Sequence, residues 1–372
     1  MRISRLETIH LKPRWMILKV HTDAGLTGLG EPSLEGRCLT VETAIREMGR
    51  WLIGQDPRRI EHICQHLYRG GFYRGGPVLC SALSGIEMAL WDILGKHLKV
   101  PVHQLLGGAV RDRIRMYRWT GLPDDTRILR KTAAELKRAK FTAYKLCVLE
   151  ATPPLASPAL LEGAVERFAA LRRRLPLETD LAIDFHGRAT PAVAKTLARM
   201  LEPYRPMFIE EPVLPHDADS LRDIAQSTCI PIAAGERLMM RWPFAELIEK
   251  RAVAVVQPDL SHVGGIFEAR KIGAMAEVKG ISVAPHCPLG PVSLAACLQL
   301  DACLPNFLIQ EHVTLGADYL RKPFVAKDGY VEVPQGPGLG IELDDEKVAE
   351  GRFDGRWDNP KFSLEDGSFA EW

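Results

Sequence analysis

Six ionisable residues punctuate the second half of this chain at nearly even intervals, each where a short apolar run ends: Asp184, Glu210, Glu236, Asp259, His286 and Glu311. The successive gaps are 26, 26, 23, 27 and 25 residues. One strand, one crossover helix and two loops of a (β/α)8 barrel take up roughly 25 to 35 residues, so this spacing brings all six to one rim. Active sites of such barrels lie at the C-terminal ends of the strands, and acids placed there carry chemistry rather than packing. The runs RIRMYRW, FTAYKLCV, LAIDF, MFIEEP, IPIAAGE, AVVQPDL, ISVAPH and FLIQEH supply eight strands. They are apolar without strict alternation, which suits parallel strands buried on both faces.

A barrel of roughly 200 residues leaves material for a second domain. Residues 1–112 read as an α+β capping or lid domain. WMILKV and the Gly turn DAGLTG have the pattern of an antiparallel meander, and VETAIREMGRWLIG and LCSALSGIEMALWDILGKHL have helical spacing. Residues 113–315 hold the α/β barrel. The hairpin and turn signals of residues 316–372 predict a segment that packs back on the capping domain. No apolar run is read as long enough to span a membrane, and the charged amino-terminal stretch MRISRLETIHLKPRW lacks a signal-peptide core.

The 48 basic residues almost balance 47 acidic ones, and they are scattered rather than blocked. That argues against nucleic acid or an anionic membrane as partner and favours a small molecule. Eight cysteines form no CxxC pair, which fits reduced thiols in a cytoplasmic protein.

Side chains two apart on a strand share a face, so Asp184, His186 and Arg188 point inward together. A single strand-end acid serves as a helix N-cap about as often as it binds a ligand. Three at consecutive strand ends shift that balance: Asp184, Glu210 and Glu236 supply hard oxygen ligands in the number Mg²⁺ accepts while keeping positions open. Asp259 beside His286 orients the imidazole and raises its basicity, the description of a general base. Glu311 reads either as a protonated donor with a raised pKa or as a solvated strand-end acid. Lys145 can hold a substrate carboxylate, whereas its neighbour on the same face, Cys147, reads as packing. Glu211 and Arg237 read as structural ion-pair formers.

The same constellation resembles the enolase superfamily, mandelate racemase subgroup, and within it the galactonate dehydratase type. The matching strings are PRWMILKV, YRGGFYRGGP, IDFHGR, EPYRPMFIEEPV, AAGER, QPDLSH, APHCPLGP and GPGLG. The resemblance implies a modified (β/α)7β barrel with one Mg²⁺ per subunit on Asp184, Glu210 and Glu236, His286 as base and His186 as the acid that protonates a departing hydroxyl. It also implies a homo-oligomer acting on a sugar acid. Arg14, Trp15 and residues 69–76 are then expected to form a lid, with Arg14, Tyr73 and Arg188 as candidate substrate contacts. One departure stands out: Cys147 replaces the second lysine of a Lys-x-Lys pair that many relatives use as a base. The rival readings are a racemase on this scaffold, a two-carboxylate barrel hydrolase, and a catalytically silent binding protein.

Overall fold

The computed structural model describes residues 1–120, 133, 134, 136, 138 and 140–372. The amino-terminal alternation becomes an antiparallel sheet in which β1 (Ile3–Leu11), β2 (Trp15–Thr22) and β3 (Thr27–Gly30) pair in sequence order. Helices α1 (Cys38–Leu52), α2 (Ile60–Arg69) and α3 (Gly76–Leu98) complete the cap. Helix α3 presses onto β3, where a Cβ at Gly30 would stand 1.9 Å from the Gly85 carbonyl oxygen. Only glycine permits that approach.

Helix α3 also corrects the reading that no apolar run approaches membrane-spanning length. Its 23 residues are long and apolar enough to cross a membrane, yet 83% of its most apolar window is buried inside the protein. The apolarity serves a helix covered on all sides.

After α4 (Val102–Leu105) the barrel begins. Its strands are β4 (Arg113–Trp119), β5 (Ala143–Cys147), β6 (Asp180–Asp184), β7 (Ile209–Glu210), β8 (Ile232–Ala234), β9 (Val255–Val256), β10 (Ser282–Val283) and β11 (Gln310–His312). Neighbours from β4 to β10 pair in parallel, a parallel bridge joins Val283 to Phe307, and β11 returns to β4 with Glu311 opposite Tyr117. The sheet is therefore closed. The outer helices are α5 (Pro158–Arg172), α6 (Pro191–Leu201), α7 (Ala218–Ala225), α8 (Arg241–Glu249), α9 (Ile266–Glu277) and α10 (Pro291–Asp301). Three of them start on side-chain caps, Ser157, Thr190 and Asp217, each accepting a backbone N–H of the first turn.

One residue from every strand builds the floor of the barrel interior: Tyr117, Ala143, Ala182, Phe208, Ala233, Val255, Ala284 and Ile309. Strand periodicity brings the residue two positions later to the same face. From six of the strands that next residue is Lys145, Asp184, Glu210, Gln257, His286 or Glu311, all but His286 buried to 1% exposure or less. A polar layer thus lies directly on an apolar one.

Residues 316–372 divide between the two domains. The hairpin β12 (Ala326–Lys327) and β13 (Tyr330–Glu332) pairs antiparallel with the first half of β4 and so extends the barrel sheet. On the cap side, Tyr319 Oη donates to the Lys12 carbonyl at 2.6 Å, and Phe353 N donates to that of His10 at 3.2 Å. A last helix, α11 (Asp345–Gly351), lies between these contacts in sequence.

Candidate active site

Lys145 occupies the centre of the polar layer. Its ammonium pairs with Glu210, lies 2.9 Å from Glu311 and 3.4 Å from Asp184, and sits 5.6 Å from the Tyr117 ring. Burial opposes its charge, but the surrounding carboxylates hold its pKa well above the ordinary lysine value. Lys145 was expected to hold a substrate carboxylate; here its donors face the protein's own acids. Of the two readings of Glu311, the solvated strand-end acid is corrected. It is buried rather than solvated, accepts from Cys287 N at 3.0 Å, and despite burial Lys145 and His286 keep its pKa below the usual carboxylate range.

Asp259 and His286 form the expected pair, with Nδ1 of His286 2.8 Å from Asp259 Oδ2. The other Asp259 oxygen accepts from Ser261 N at 2.7 Å, which fixes the carboxylate in place. Nε2 of His286 faces the site, 3.3 Å from Glu236 and 3.9 Å from Glu311. Burial disfavours the imidazolium, yet Glu236, Asp259 and Glu311 together raise the His286 pKa well above its ordinary value.

His186 stands at the end of β6 in a left-handed conformation, φ 50°. Asp184 grips it twice, through the backbone N–H at 2.8 Å and through Nε2 at 3.0 Å. Burial lowers its pKa, but the adjacent carboxylate outweighs this and raises it to about 11. Among the described residues Nδ1 is buried without a well-aligned hydrogen bond, and the Cys147 thiol beside the ring adds to the rise in pKa.

The expected substrate contacts separate. Arg14 Nη2 lies 2.6 Å from Glu35 Oε1 and 3.2 Å from the Pro288 carbonyl, and the guanidinium stacks over Trp357, so Arg14 reaches the loop that follows His286. Arg188 donates to the Leu149 carbonyl at 2.6 Å and stacks on Phe362 and Trp372. Tyr73 is 88% exposed, its ring edge-on to Phe72. Trp15 is corrected from lid to core, because its side chain is buried edge-on against Tyr319. Glu211 and Arg237 pair with each other beneath the rim.

Asp184, Glu210 and Glu236, the acids expected to bind a cation, lie close together at the rim. Burial raises the pKa of Glu210 well above the carboxylate range, and Asp184, Glu311 and Glu236 push it further against the pull of Lys145. Burial and Glu211 raise Glu236 to about 7, against the two imidazoles. Glu236 Oε2 is buried 3.3 Å from His286 Nε2 and makes no hydrogen bond among the described residues. Crowded acids and a buried carboxylate oxygen without a hydrogen bond fit a cation site. Among the described residues, Glu210, Glu236 and His286 each bring a ligand atom within 4.8 Å of the others, while Asp184 is turned toward His186 and Lys145.

Three sets of residues escaped the sequence reading. Gln257 donates to Glu210 Oε2 at 2.6 Å, and its position two residues before Asp259 on the same strand end was the available signal. Glu31 of the cap accepts from Gly290, Val292 and Ser293 N at 2.6, 3.1 and 2.9 Å, at the start of α10. Glu87 of α3 does the same for Ile266 and Phe267 N at 2.7 and 2.9 Å, at the start of α9. Both plug the positive end of a helix that follows a site loop. Phe362 and Trp372 reach the rim with no periodic signal at all.

Residues 4–107 match the mandelate racemase/muconate lactonizing enzyme N-terminal domain, and residues 128–348 match the enolase C-terminal domain-like family. The chain belongs to this family. D-galactonate dehydratase of Ralstonia nicotianae is 48% identical to this enolase-superfamily protein, and that of Cronobacter sakazakii 46% identical, over the whole of both chains in each case. Among solved structures, an enolase from Agrobacterium radiobacter with sodium and L-malate bound superimposes with a TM-score of 0.94 at 30% identity, covering all of both chains. A mandelate racemase/muconate lactonizing enzyme from Jannaschia sp. CCS1 gives 0.88 at 32% identity over 96% of this chain and 99% of its own.

Proposed function

We propose that this protein is a D-galactonate dehydratase, converting D-galactonate to 2-dehydro-3-deoxy-D-galactonate and water. It is a hydro-lyase of acid sugars, a reading supported by full-length likeness to galactonate dehydratases at 45–48% identity. The observation that carries the elimination is the pair of imidazoles at one rim. His286 is oriented by Asp259, and His186 is gripped by Asp184 while its second nitrogen makes no well-aligned hydrogen bond among the described residues.

The residues that would hold Mg²⁺ are Asp184, Glu210 and Glu236, with Gln257 and Lys145 steadying Glu210. When bound, the cation supplies charge stabilisation worth several kcal/mol to substrate carboxylate oxygens that gain charge as a proton leaves C2. His286 carries a proton on Nδ1 toward Asp259, and a cation held by Glu236 would offset the charge that most raises the imidazole pKa, leaving Nε2 to accept the C2 proton. His186 gives a proton to the C3 hydroxyl, which departs as water, and the resulting enol takes a proton at C3 as it becomes the keto acid. Cys147 at the end of β5 leaves no second lysine base on that face, which disfavours racemisation.

The test is proton NMR of D-galactonate incubated with enzyme and Mg²⁺ in D₂O. A 2-keto-3-deoxy acid with solvent deuterium at C3 is expected. Deuterium at C2 of an epimerised substrate, with no keto acid, overturns the reading in favour of a racemase.

A further inference from the structure

The sequence KFSLEDGSFAEW folds into a tight hairpin. Leu364 N donates to the Ser368 carbonyl at 2.8 Å, Ala370 N to that of Phe362 at 3.0 Å, and Ser363 bridges Phe369. Asp366 accepts from Ser368 N at 2.9 Å, and Gly367 takes φ +82° at the turn, a conformation glycine adopts without Cβ strain. The hairpin brings the ring of Trp372 to 6.2 Å from that of Phe362, at 76°. Between them they hold Arg188, whose guanidinium carbon lies 4.3 Å from the Phe362 ring centre and 5.5 Å from that of Trp372. The same indole meets the His186 imidazole edge-on, 5.3 Å between centres at 72°.

His186 is thus located by two contacts of different kinds. Asp184 holds Nε2, which fixes one edge of the ring, and a hydrogen bond alone leaves the ring free to rotate about that edge. The indole of Trp372 restricts this rotation and so sets where Nδ1 points. Aromatic pairs of this geometry contribute about 0.5 to 1.5 kcal/mol, enough to select one orientation. The hairpin is not part of the core: Phe369 is 81% exposed and Trp372 itself 38%. Its inner contacts converge on two rim residues of β6, His186 and Arg188.

We infer that the hairpin 362–372 is a wall of the active site and that Trp372 is a positioning residue for His186, needed for loss of the C3 hydroxyl but not for removal of the C2 proton. The inference rests on the dehydratase reading above. It assigns to a segment beyond the barrel the choice between completing the elimination and merely exchanging a proton.

The experiment compares the full-length wild type with Trp372→Leu, Trp372→Phe, Phe362→Leu and Phe369→Ala, each with Mg²⁺ and D-galactonate in D₂O. Keto acid formation and C2 deuterium exchange are followed by proton NMR. Misplacing a reacting group by about 1 Å costs up to about 100-fold, so Trp372→Leu should lower kcat for keto acid by about 10- to 100-fold while C2 exchange continues. Phe362→Leu, which unseats the indole, should shift the ratio the same way. Trp372→Phe should restore elimination to within about 3-fold, because an aromatic edge is kept. Phe369→Ala, on the outer face, should leave both rates unchanged. Wild-type elimination in Trp372→Leu, or parallel loss of exchange and elimination, overturns the inference. A wild type that makes no keto acid from D-galactonate overturns the dehydratase reading instead.

Discussion

Asp259 Oδ2 lies 2.8 Å from Nδ1 of His286, and this contact decides which ring nitrogen is left for chemistry. With Nδ1 engaged, Nε2 is the basic atom. Asp259→Asn should lower kcat by about 10³- to 10⁴-fold through the wrong tautomer, with KM little changed, and His286→Asn by at least as much. The double variant should be scarcely worse than the single ones, because linked groups fail together. Steady-state kinetics of the three variants checks this, and additive losses would separate Asp259 from the base.

His186→Asn should abolish keto acid formation while deuterium still enters C2 of D-galactonate, since proton abstraction and hydroxyl departure use different imidazoles. Loss of both activities together would place His186 upstream of proton abstraction. The measurement is proton NMR in D₂O.

Chelation should remove activity, and added Mg²⁺ should restore it. Glu210→Gln and Glu236→Gln should both weaken Mg²⁺ binding in calorimetry and abolish turnover, because a neutral amide is a poorer ligand for a hard cation. Variants that turn over at near wild-type rate after chelation would disprove the ligand assignment.

Lys145→Met removes the one cation that, among the described residues, contacts Glu210, Glu311 and Asp184 at once. Leaving buried carboxylates uncompensated costs about 3 to 5 kcal/mol, read as a fall in the urea midpoint of the metal-free protein. Saturating Mg²⁺ should recover part of that loss by binding the folded state. An unchanged midpoint would contradict the pairing.

Burial raises the Glu87 carboxyl to about 7, against the pull of its hydrogen-bond donors. A folded pKa above the unfolded value of 4.5 means that the native state binds the proton more tightly. The stabilising contribution is therefore complete below 4.5 and is lost as pH rises through 7. Relative to Glu87→Gln, which stays neutral, wild type should lose on the order of 2 kcal/mol between pH 5 and pH 8. Urea denaturation of both proteins at the two pH values tests the sign.

The barrel was legible because its acids fall at strand ends, so a spacing along the chain becomes a ring in space. Asp184, Glu210, Glu236, Asp259, His286 and Glu311 follow from that rule. Lys145 was found without its partners, since a strand pattern reveals that a lysine points inward and not how many acids await it there. Gln257 lay within reach of the same two-residue argument. Glu31, Glu87 and Trp372 did not, because their partners are 259, 179 and 186 positions away and no local periodicity encodes a contact between elements so far apart. Tyr73 shows the reverse case. Its Gly-rich surroundings announce a loop, but nothing in them says whether the ring is covered, and here it is 88% exposed.

Glu31 and Glu87 have a bearing on how such proteins can be recombined. The helices that follow His286 and Asp259 begin on carboxylates supplied by the cap, so the stiffness of both site loops is borrowed from another domain. A chimaera that joins the cap of one relative to the barrel of another must carry both acids at matching depth. Without them each helix opens on bare amide groups in a dry interface. The two domains are thus interchangeable in outline only, and the seam between them is inherited as one piece.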